Sequence, residues 1–321
     1  MKKILILLLC IFFITICSCN EAKKEEPNVN INTTYDNNTN IKNIPSAKIQ
    51  LKKGDSFNGN INIKNTIYNT VLFQKIDFSQ TVDLNFTMNV LNATNSKFDI
   101  EVTFKDCIIN SVLKEIDTPE IINPFKTLTG FAESLNGKSF TLETNRNGKV
   151  LNISDWTIDR KYTSDPDALN EINKYFSKDS LAMIFEKITY TGPESISKDN
   201  SWDYLFSLNS SIIPIQSRCT YNCVDINDYY YVIDVENSQN SVAVSSNKII
   251  FPQINGNAKI KDYTKGSLLI SKNKGILKRG EFLIDCDADI RDLTLLNLKF
   301  PVSVNLTPLT IVKIELNIPL I

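Results

Sequence analysis

Histidine is absent from all 321 residues. Its absence excludes Ser-His-Asp and Cys-His catalysis, imidazole-ligated zinc and any histidine-based pH switch. Tryptophan (2 residues) and methionine (3 residues) are scarce, and none of the 7 cysteines forms a Cys-x-x-Cys pair of the kind that holds a metal. Surplus positive charge is missing too: 35 Lys and Arg stand against 36 Asp and Glu, for a net charge of −1. Phosphate backbones demand a basic surface, so nucleic acid is not the expected partner. What is abundant is apolar side chain, at 42% of the chain, enough to bury a sizeable core.

The N-terminus indicates a compartment. Met1-Lys2-Lys3 is a short positive segment, and Ile4 to Ile16 is an apolar run too short to span a bilayer comfortably. Ile16-Cys17-Ser18-Cys19 follows and resembles the lipobox of bacterial lipoproteins, with Cys19 as the residue to be lipidated. Cys17 is the second choice, because the bulky Ile16 would then precede it. The resemblance implies cleavage after residue 18, acylation of Cys19 by chains such as palmitate, and a stable membrane anchor in the cell envelope, since more than one chain is needed for lasting attachment. Asn20 lacks the charge of an inner-membrane retention signal, which directs the expectation to the outer membrane, facing the periplasm or the cell surface.

Residues 20–47 are rich in Asn, Thr, Lys and Glu and nearly devoid of large apolar residues. Such a stretch cannot offset its ordering entropy by burial, so 19–47 reads as a lipidated cysteine followed by a disordered tether.

The remainder alternates with a period of two. Val82, Leu84, Phe86, Met88 and Val90 interleave with polar residues, as do Phe98, Ile100, Val102 and Phe104. Near the C-terminus Phe300, Val302, Val304 and Leu306, then Val312, Ile314, Leu316 and Ile318, repeat the pattern. One dry face and one wet face are the mark of antiparallel sheet. The runs approach ten residues, longer than the usual strand, which points to strongly curved sheets or half-barrels. Phe86, Met88, Phe98, Ile100, Val102, Phe104, Trp202, Tyr204, Phe206, Phe300, Val302, Ile314 and Leu316 are the expected inner face.

Two segments break to helical spacing. Ile121, Phe125, Leu128, Ala132 and Leu135 recur every three or four residues until Gly137. Ser164-Asp165-Pro166 looks like a helix start, Leu169, Ile172 and Phe176 form its stripe, and Ser177 or Ser180 caps a continuation through Leu181, Ile184, Phe185 and Ile188. These helices would cover the dry face, or act as a lid over a ligand cavity.

The chain also looks duplicated. Lys53-Gly54-Asp55-Ser56-Phe57 and Lys198-Asp199-Asn200-Ser201-Trp202 open two halves in one style, and each half holds a strand–turn–strand unit, around Asn147-Gly148 and around Asn273-Lys274-Gly275. The expected fold is mainly β (α+β), two repeated antiparallel β modules with helical insertions, at 48–192 and 193–321. With the Gly137-Lys138-Ser139-Phe140-Thr141-Leu142 run and the segment from Lys265 to Phe282, these motifs resemble an uncharacterised family of bacterial lipoproteins, a domain of unknown function, across about residues 49–318. That resemblance implies no catalytic residues. A looser architectural resemblance is to periplasmic lipoprotein-carrier half-barrels, which implies a cavity for acyl chains.

Candidate chemistry is sparse. Cys107, Cys219, Cys223 and Cys286 lie in the body. An inter-strand bridge from Cys286 to Cys223 or Cys219 suits an exported protein, and buried free thiols packing as small apolar residues suit it equally. Asp285, Asp287 and Asp289 share one strand face but lack the carbonyl ligands and glycine loop of a calcium site, so they read as a solvated face. Asp165 and Asp167 fit a helix start. Tyr229-Tyr230-Tyr231 places aromatics on both faces of one strand, with Tyr230 expected at the surface. No cofactor, metal or catalytic residue is expected, and the protein reads as non-enzymatic. Two roles remain: a membrane-anchored binder of a hydrophobic ligand in a β cavity, or an envelope interaction protein with a filled core. A void of several hundred Å³ beneath 120–136 or 165–188 would mark the first, and a packed interior the second.

Overall fold

The computed structural model describes residues 49–71, 74–114, 119–162, 164–190, 192–193, 196–211, 213–237, 241–251, 254–295, 298–300 and 304–319. The expected lipidation site Cys19, the expected leader and the expected tether lie outside the described residues, as do the side chains of Phe300 and Val302.

The body is mainly β. Its strands are β1 (Ser56–Val71), β2 (Gln74–Ala93), β3 (Lys97–Lys114), β4 (Ser139–Asn145), β5 (Val150–Ser154), β6 (Ser201–Leu208), β7 (Ile215–Ile226), β8 (Tyr230–Asn237), β9 (Ser241–Phe251), β10 (Ile254–Ser271), β11 (Leu277–Leu295), β12 (Leu298–Phe300), β13 (Val304–Leu306) and β14 (Pro308–Leu316). Helices α1 (Pro119–Glu133), α2 (Pro166–Phe176) and α3 (Lys178–Thr189) lie between β3 and β6 in the chain, on either side of the β4–β5 hairpin. The strands form one curved sheet in the order β5-β4-β3-β2-β1-β14-β11-β10-β8-β7-β6, with β9, β12 and β13 paired at its flank. Every pairing is antiparallel, and the sheet does not close into a barrel. β1 and β14 meet in its middle, and β5 and β6 end it.

The strands outrun the expected length: β2 has 20 residues and β11 has 19. The polar residues that look like loop material continue the wet face while apolar ones hold the dry face. In β3 Phe98, Ile100, Val102 and Phe104 are buried in strict alternation with half-buried polar residues, and Cys107 and Ile109 resume the buried row further on. Of the expected inner face, Phe86, Met88, Phe206, Ile314 and Leu316 are also buried. Trp202 and Tyr204 are only half-buried, because they sit on the edge strand β6, where one flank has no neighbouring strand.

Aromatic rings stand over strand glycines. A side chain at Gly59 would collide with the Phe86 ring, its register partner on β2, and one at Gly266 with Phe282, its partner on β11. The missing side chains let each ring lie flat on the sheet and let the sheet bend there.

The two openings take the same turn. Gly54 (φ +89°) and Asp199 (φ +65°) are both left-handed. Gly54 donates its N–H to Val90 and Asp199 donates its N–H to Cys223; in return Val90 donates to Asp55 and Cys223 to Asn200. A register shift of one residue follows on the partner strand in both cases, past Val90 and past Cys223. The next turns match as well, with Thr94 and Asn227 each capping the backbone N–H groups two and three residues ahead.

Asp165 caps α2, its Oδ1 accepting from the N–H of Asp167 (2.9 Å) and Ala168 (3.3 Å), and Ser177 caps α3 by accepting from Ser180 N (3.1 Å). α2 and α3 are therefore separate helices hinged at Ser177.

Candidate functional site

The space beneath the helices is occupied by protein. Phe185 of α3 packs edge-on against Phe86 (5.1 Å between centroids) and Phe140 (5.4 Å). Phe176 of α2 meets Phe131 of α1 (5.3 Å) and Phe104 (6.3 Å), and Phe125 of α1 meets Phe78 (5.3 Å). Phe176, Phe185, Leu128, Leu181 and Ile188 have no accessible surface at all, so no water-sized void touches them. Alternation brings the apolar rows of β1–β4 to one face, and helical spacing supplies the second layer that fills it. The described hollows lie on the outside. One of about 580 Å³ crosses the wet face of β7, β8, β10 and β11 past Tyr263, Lys265 and Glu281. Another of about 240 Å³ lies at the turns by Tyr229, Tyr230, Lys272 and Ile318.

Helix α3 does the work of the missing strand pairing. Glu186 accepts the Val150 N–H of edge strand β5 (2.9 Å) on one carboxylate oxygen and the Tyr204 hydroxyl of edge strand β6 on the other. Lys187 donates to the carbonyl of Ser207 on β6 (2.6 Å) and lies 4.2 Å over the Phe206 ring. Thr189 donates to the carbonyl of Gly148 (2.6 Å), just before β5. Both edges of an open sheet carry unpaired backbone groups, and one helix satisfies part of each. The ammonium end of Lys187 is enclosed, which lowers its pKa to about 8 against the opposing pull of Glu186 and Cys219. Burial, then Glu186, raises Tyr190 to about 12, and the Tyr190 ring stacks on Tyr204 at 4.0 Å.

A second polar group is sunk in the sheet. Asp262 accepts from Ser217, Thr264 (3.1 Å) and Asn237 (3.2 Å), and it is 5% exposed. Its neighbours are donors spent on it, so it is satisfied where it lies.

The four cysteines among the described residues, Cys107, Cys219, Cys223 and Cys286, are free and buried. Cys219, Cys223 and Cys286 all face the interior. Cys286, however, is on β11 and Cys219 and Cys223 are on β7, with β10 and β8 between them. Three strand spacings amount to about 14 Å along the sheet, beyond the reach of a disulfide, so neither Cys223–Cys286 nor Cys219–Cys286 forms. Burial raises Cys107 and Cys219 to about 12. They are thiols at neutral pH, not thiolate nucleophiles.

Asp285 and Asp287 are exposed, and Asp287 and Asp289 lie opposite Lys261 and Lys259 on β10; Asp289 also pairs with Arg291 (3.1 Å). Asp287 and Asp289 thus belong to a wet face of mixed charge, while Asp285 lies opposite Tyr263 and Leu309. Among the described residues no group of three or more potential ligands could hold a metal ion, and no helix is long and apolar enough to cross a membrane. Within the tyrosine triplet, Tyr231 is buried, Tyr230 half-buried and Tyr229 exposed, since Tyr229 belongs to the turn that Asn227 caps.

Glu186 and Lys187 carry no sequence signal for their role. They look like the polar face of an amphipathic helix, and only the convergence of both sheet edges reveals what they bond.

Among solved structures, a lipovitellin described under the heading of lipid–protein interactions matches 83% of this chain at 9% identity, with a TM-score of 0.45. The match spans about a quarter of that protein, 25% of its length. An outer membrane channel from Pseudomonas putida F1 matches 86% of this chain and 100% of its own at 8% identity and a TM-score of 0.18. No functionally curated protein matches the sequence. A family model does match, over residues 95–277, more than half of the chain. The chain therefore belongs to DUF6263, a family of unknown function.

Proposed function

We propose that this protein is a non-enzymatic, lipid-anchored component of a bacterial envelope, with a filled-core β body that acts through its outer surface. The observation that carries this reading is the occupied dry face: the positions that would line a ligand cavity are held by Phe176, Phe185, Phe125 and Phe131 of the chain's own helices. The lack of histidine, the protonated thiols and the spent hydrogen-bond groups around Glu186 and Asp262 support a non-enzymatic role. The anchor rests on the lipobox-like Ile16-Cys17-Ser18-Cys19 segment.

Mass spectrometry of organic extracts from the purified protein tests the filled core. Beyond acyl chains on Cys19, no lipid should be recovered in stoichiometric amount. One bound lipid per chain would overturn the reading in favour of a carrier of hydrophobic ligand. Labelling with radioactive palmitate tests the anchor, and label persisting in Cys19→Ala would refute the assignment.

A further inference from the structure

The strand registers bring one set of features to a single end of the sheet. The openings at Gly54 and Asp199, the turns after Ala93, Asn145, Ile226 and Ser271, and the exit of β14 at Leu316 all lie there. Ile49 and Gln50, the first described residues, lie at this end as well. Gln50 donates its N–H to Lys274 in the β10–β11 turn (2.9 Å), and Ile49 and Leu51 are buried at 3% and 4% exposure. Any tether to a membrane therefore begins at the turn end.

The surface at that end has the composition of a lipid-facing one. Lys52, Lys53, Lys149 and Lys198 are exposed there and make no side-chain ion pair among the described residues. Tyr229 is 52% exposed, and Leu91 and Val224, at the equivalent register shifts of the two halves, are 44% and 40% exposed. Lysine beside exposed tyrosine and aliphatic side chains is the chemistry of a headgroup interface. Asp199, Asp225 and Asp228 share this end. Their short side chains hold the carboxylates close to the backbone, whereas lysine ammonium groups reach further out.

We infer that the turn end docks onto a bilayer carrying anionic lipid, with Lys52, Lys53, Lys149 and Lys198 against phosphates and Tyr229 at headgroup depth. The hollow of about 240 Å³ beside Tyr229 and Lys272 then faces the headgroups. This inference rests on the anchored reading above. A short tether keeps the body close to its own membrane, so even weak docking would be occupied.

The test uses the chain from Asn20 onward, so that neither the apolar leader nor an acyl chain contributes, and flotation with vesicles of phosphatidylglycerol and phosphatidylethanolamine or of phosphatidylcholine alone. Binding is expected to the anionic vesicles only, and to fade in about 0.5 M salt. The variant K52Q/K53Q/K149Q/K198Q should bind on the order of a hundredfold more weakly or worse, since each lysine near an anionic surface is worth about fivefold. Its thermal melt should not move. Tyr229→Ser should weaken binding to the same vesicles. Absence of binding to anionic vesicles, equal binding by the quadruple variant, or equal weakening by K64Q/K105Q/K126Q, whose lysines lie away from the turns, would overturn the docking. Palmitate labelling of the unmutated chain reports on the anchor separately, so labelled protein without vesicle binding refutes the docking alone.

Discussion

Thr310 donates a hydrogen bond of 2.7 Å to the side-chain carbonyl of Asn65, a residue 245 positions earlier in the chain. The Asn65 amide nitrogen donates onward to the Tyr175 hydroxyl (2.9 Å) and to the Ser210 carbonyl (2.9 Å), and Tyr175 donates to Gln80. All of these groups are buried, and together they tie β1, β2, β14, helix α2 and the segment after β6. Replacing Asn65 with Ala should strand several of them and cost roughly 2–4 kcal/mol, because each buried unpaired group costs about 1–3 kcal/mol. Tyr175→Phe removes one donor and should cost about half as much. Urea unfolding of both variants checks this; a loss below about 0.5 kcal/mol for Asn65→Ala would mean the groups re-pair or reach water.

The Glu186 contacts predict a local effect distinct from a global one. Glu186→Ala frees the Val150 N–H on β5 and the Tyr204 hydroxyl on β6. Amide exchange at Val150 should accelerate well before exchange at Ile61 and Ile63 in the sheet centre, since edge openings need less free energy than global unfolding. Unchanged protection at Val150 would show that the carboxylate does not hold the edge.

Gly148 and Gly54 share a left-handed backbone but differ in surroundings. At Gly54 a methyl group would meet nothing within 4 Å, whereas at Gly148 it would lie 1.9 Å from the Thr189 carbonyl oxygen of α3. Gly54→Ala should cost only the conformational strain, about 1 kcal/mol. Gly148→Ala should cost several times more, because backbone must move and the Thr189 bond to the Gly148 carbonyl is lost. Similar melting temperatures for the two variants would contradict this account.

The sheet faces were legible in the sequence wherever polar and apolar residues alternate cleanly, as from Phe98 to Phe104, and the cap at Asp165 was legible from its side chain, whereas Ser177 and Ser180 read alike and only the bond from Ser180 N to Ser177 assigns the second cap. Strand length was not. Asn58, Asn60 and Asn62 in β1 look like a turn-rich stretch, but cross-strand bonds such as Asn60 to Asn85 (2.9 Å) and Asn62 to Asp83 (2.8 Å) make them a wet face. Asn65 gives no local hint of burial, because its partners Tyr175, Ser210 and Thr310 come from three distant segments. Nor does strand order follow from alternation, which is why a Cys223–Cys286 bridge could be entertained: both residues point inward, and only the pairing shows two strands between them.

Core burial in β3 predicts an asymmetry between neighbours. Ile100 is wholly buried, opposite Leu142 on β4 and Val90 on β2. Ile100→Ala should cost about 2–5 kcal/mol, and Ile100→Asn more, through an added desolvation penalty. Glu101→Ser, one residue along and half-buried on the wet face, should stay within about 0.5 kcal/mol. Urea titration of the three variants decides it. If added lipid were to restore the stability of Ile100→Ala, the filled-core reading would fail with it.

Alkaline titration separates two sets of buried groups with opposite signs. Lys187 has a folded pKa of about 8, against an ordinary 10.5. Between those values the unfolded chain holds a proton that the folded chain has released, so this group adds stability as pH rises from about 8. Cys107 and Cys219 are raised by burial from an ordinary 9.0 to about 12, and burial raises Cys286 and Tyr221 as well. For these the folded chain keeps protons that the unfolded chain loses, so their contribution is complete below pH 9 and is lost as pH climbs toward the folded values. Among these groups Lys187 acts alone from pH 8 to 9, and the thiols and phenols oppose it above. Unfolding free energy should therefore rise slightly to about pH 9 and then fall steeply. Lys187→Met should abolish the rise, and Cys107→Ala with Cys219→Ala should make the fall shallower. Urea titrations at intervals from pH 7 to 10.5 would show it, and a monotonic decline from pH 7 in the unmutated protein would place the Lys187 ammonium in water, not against the Ser207 carbonyl.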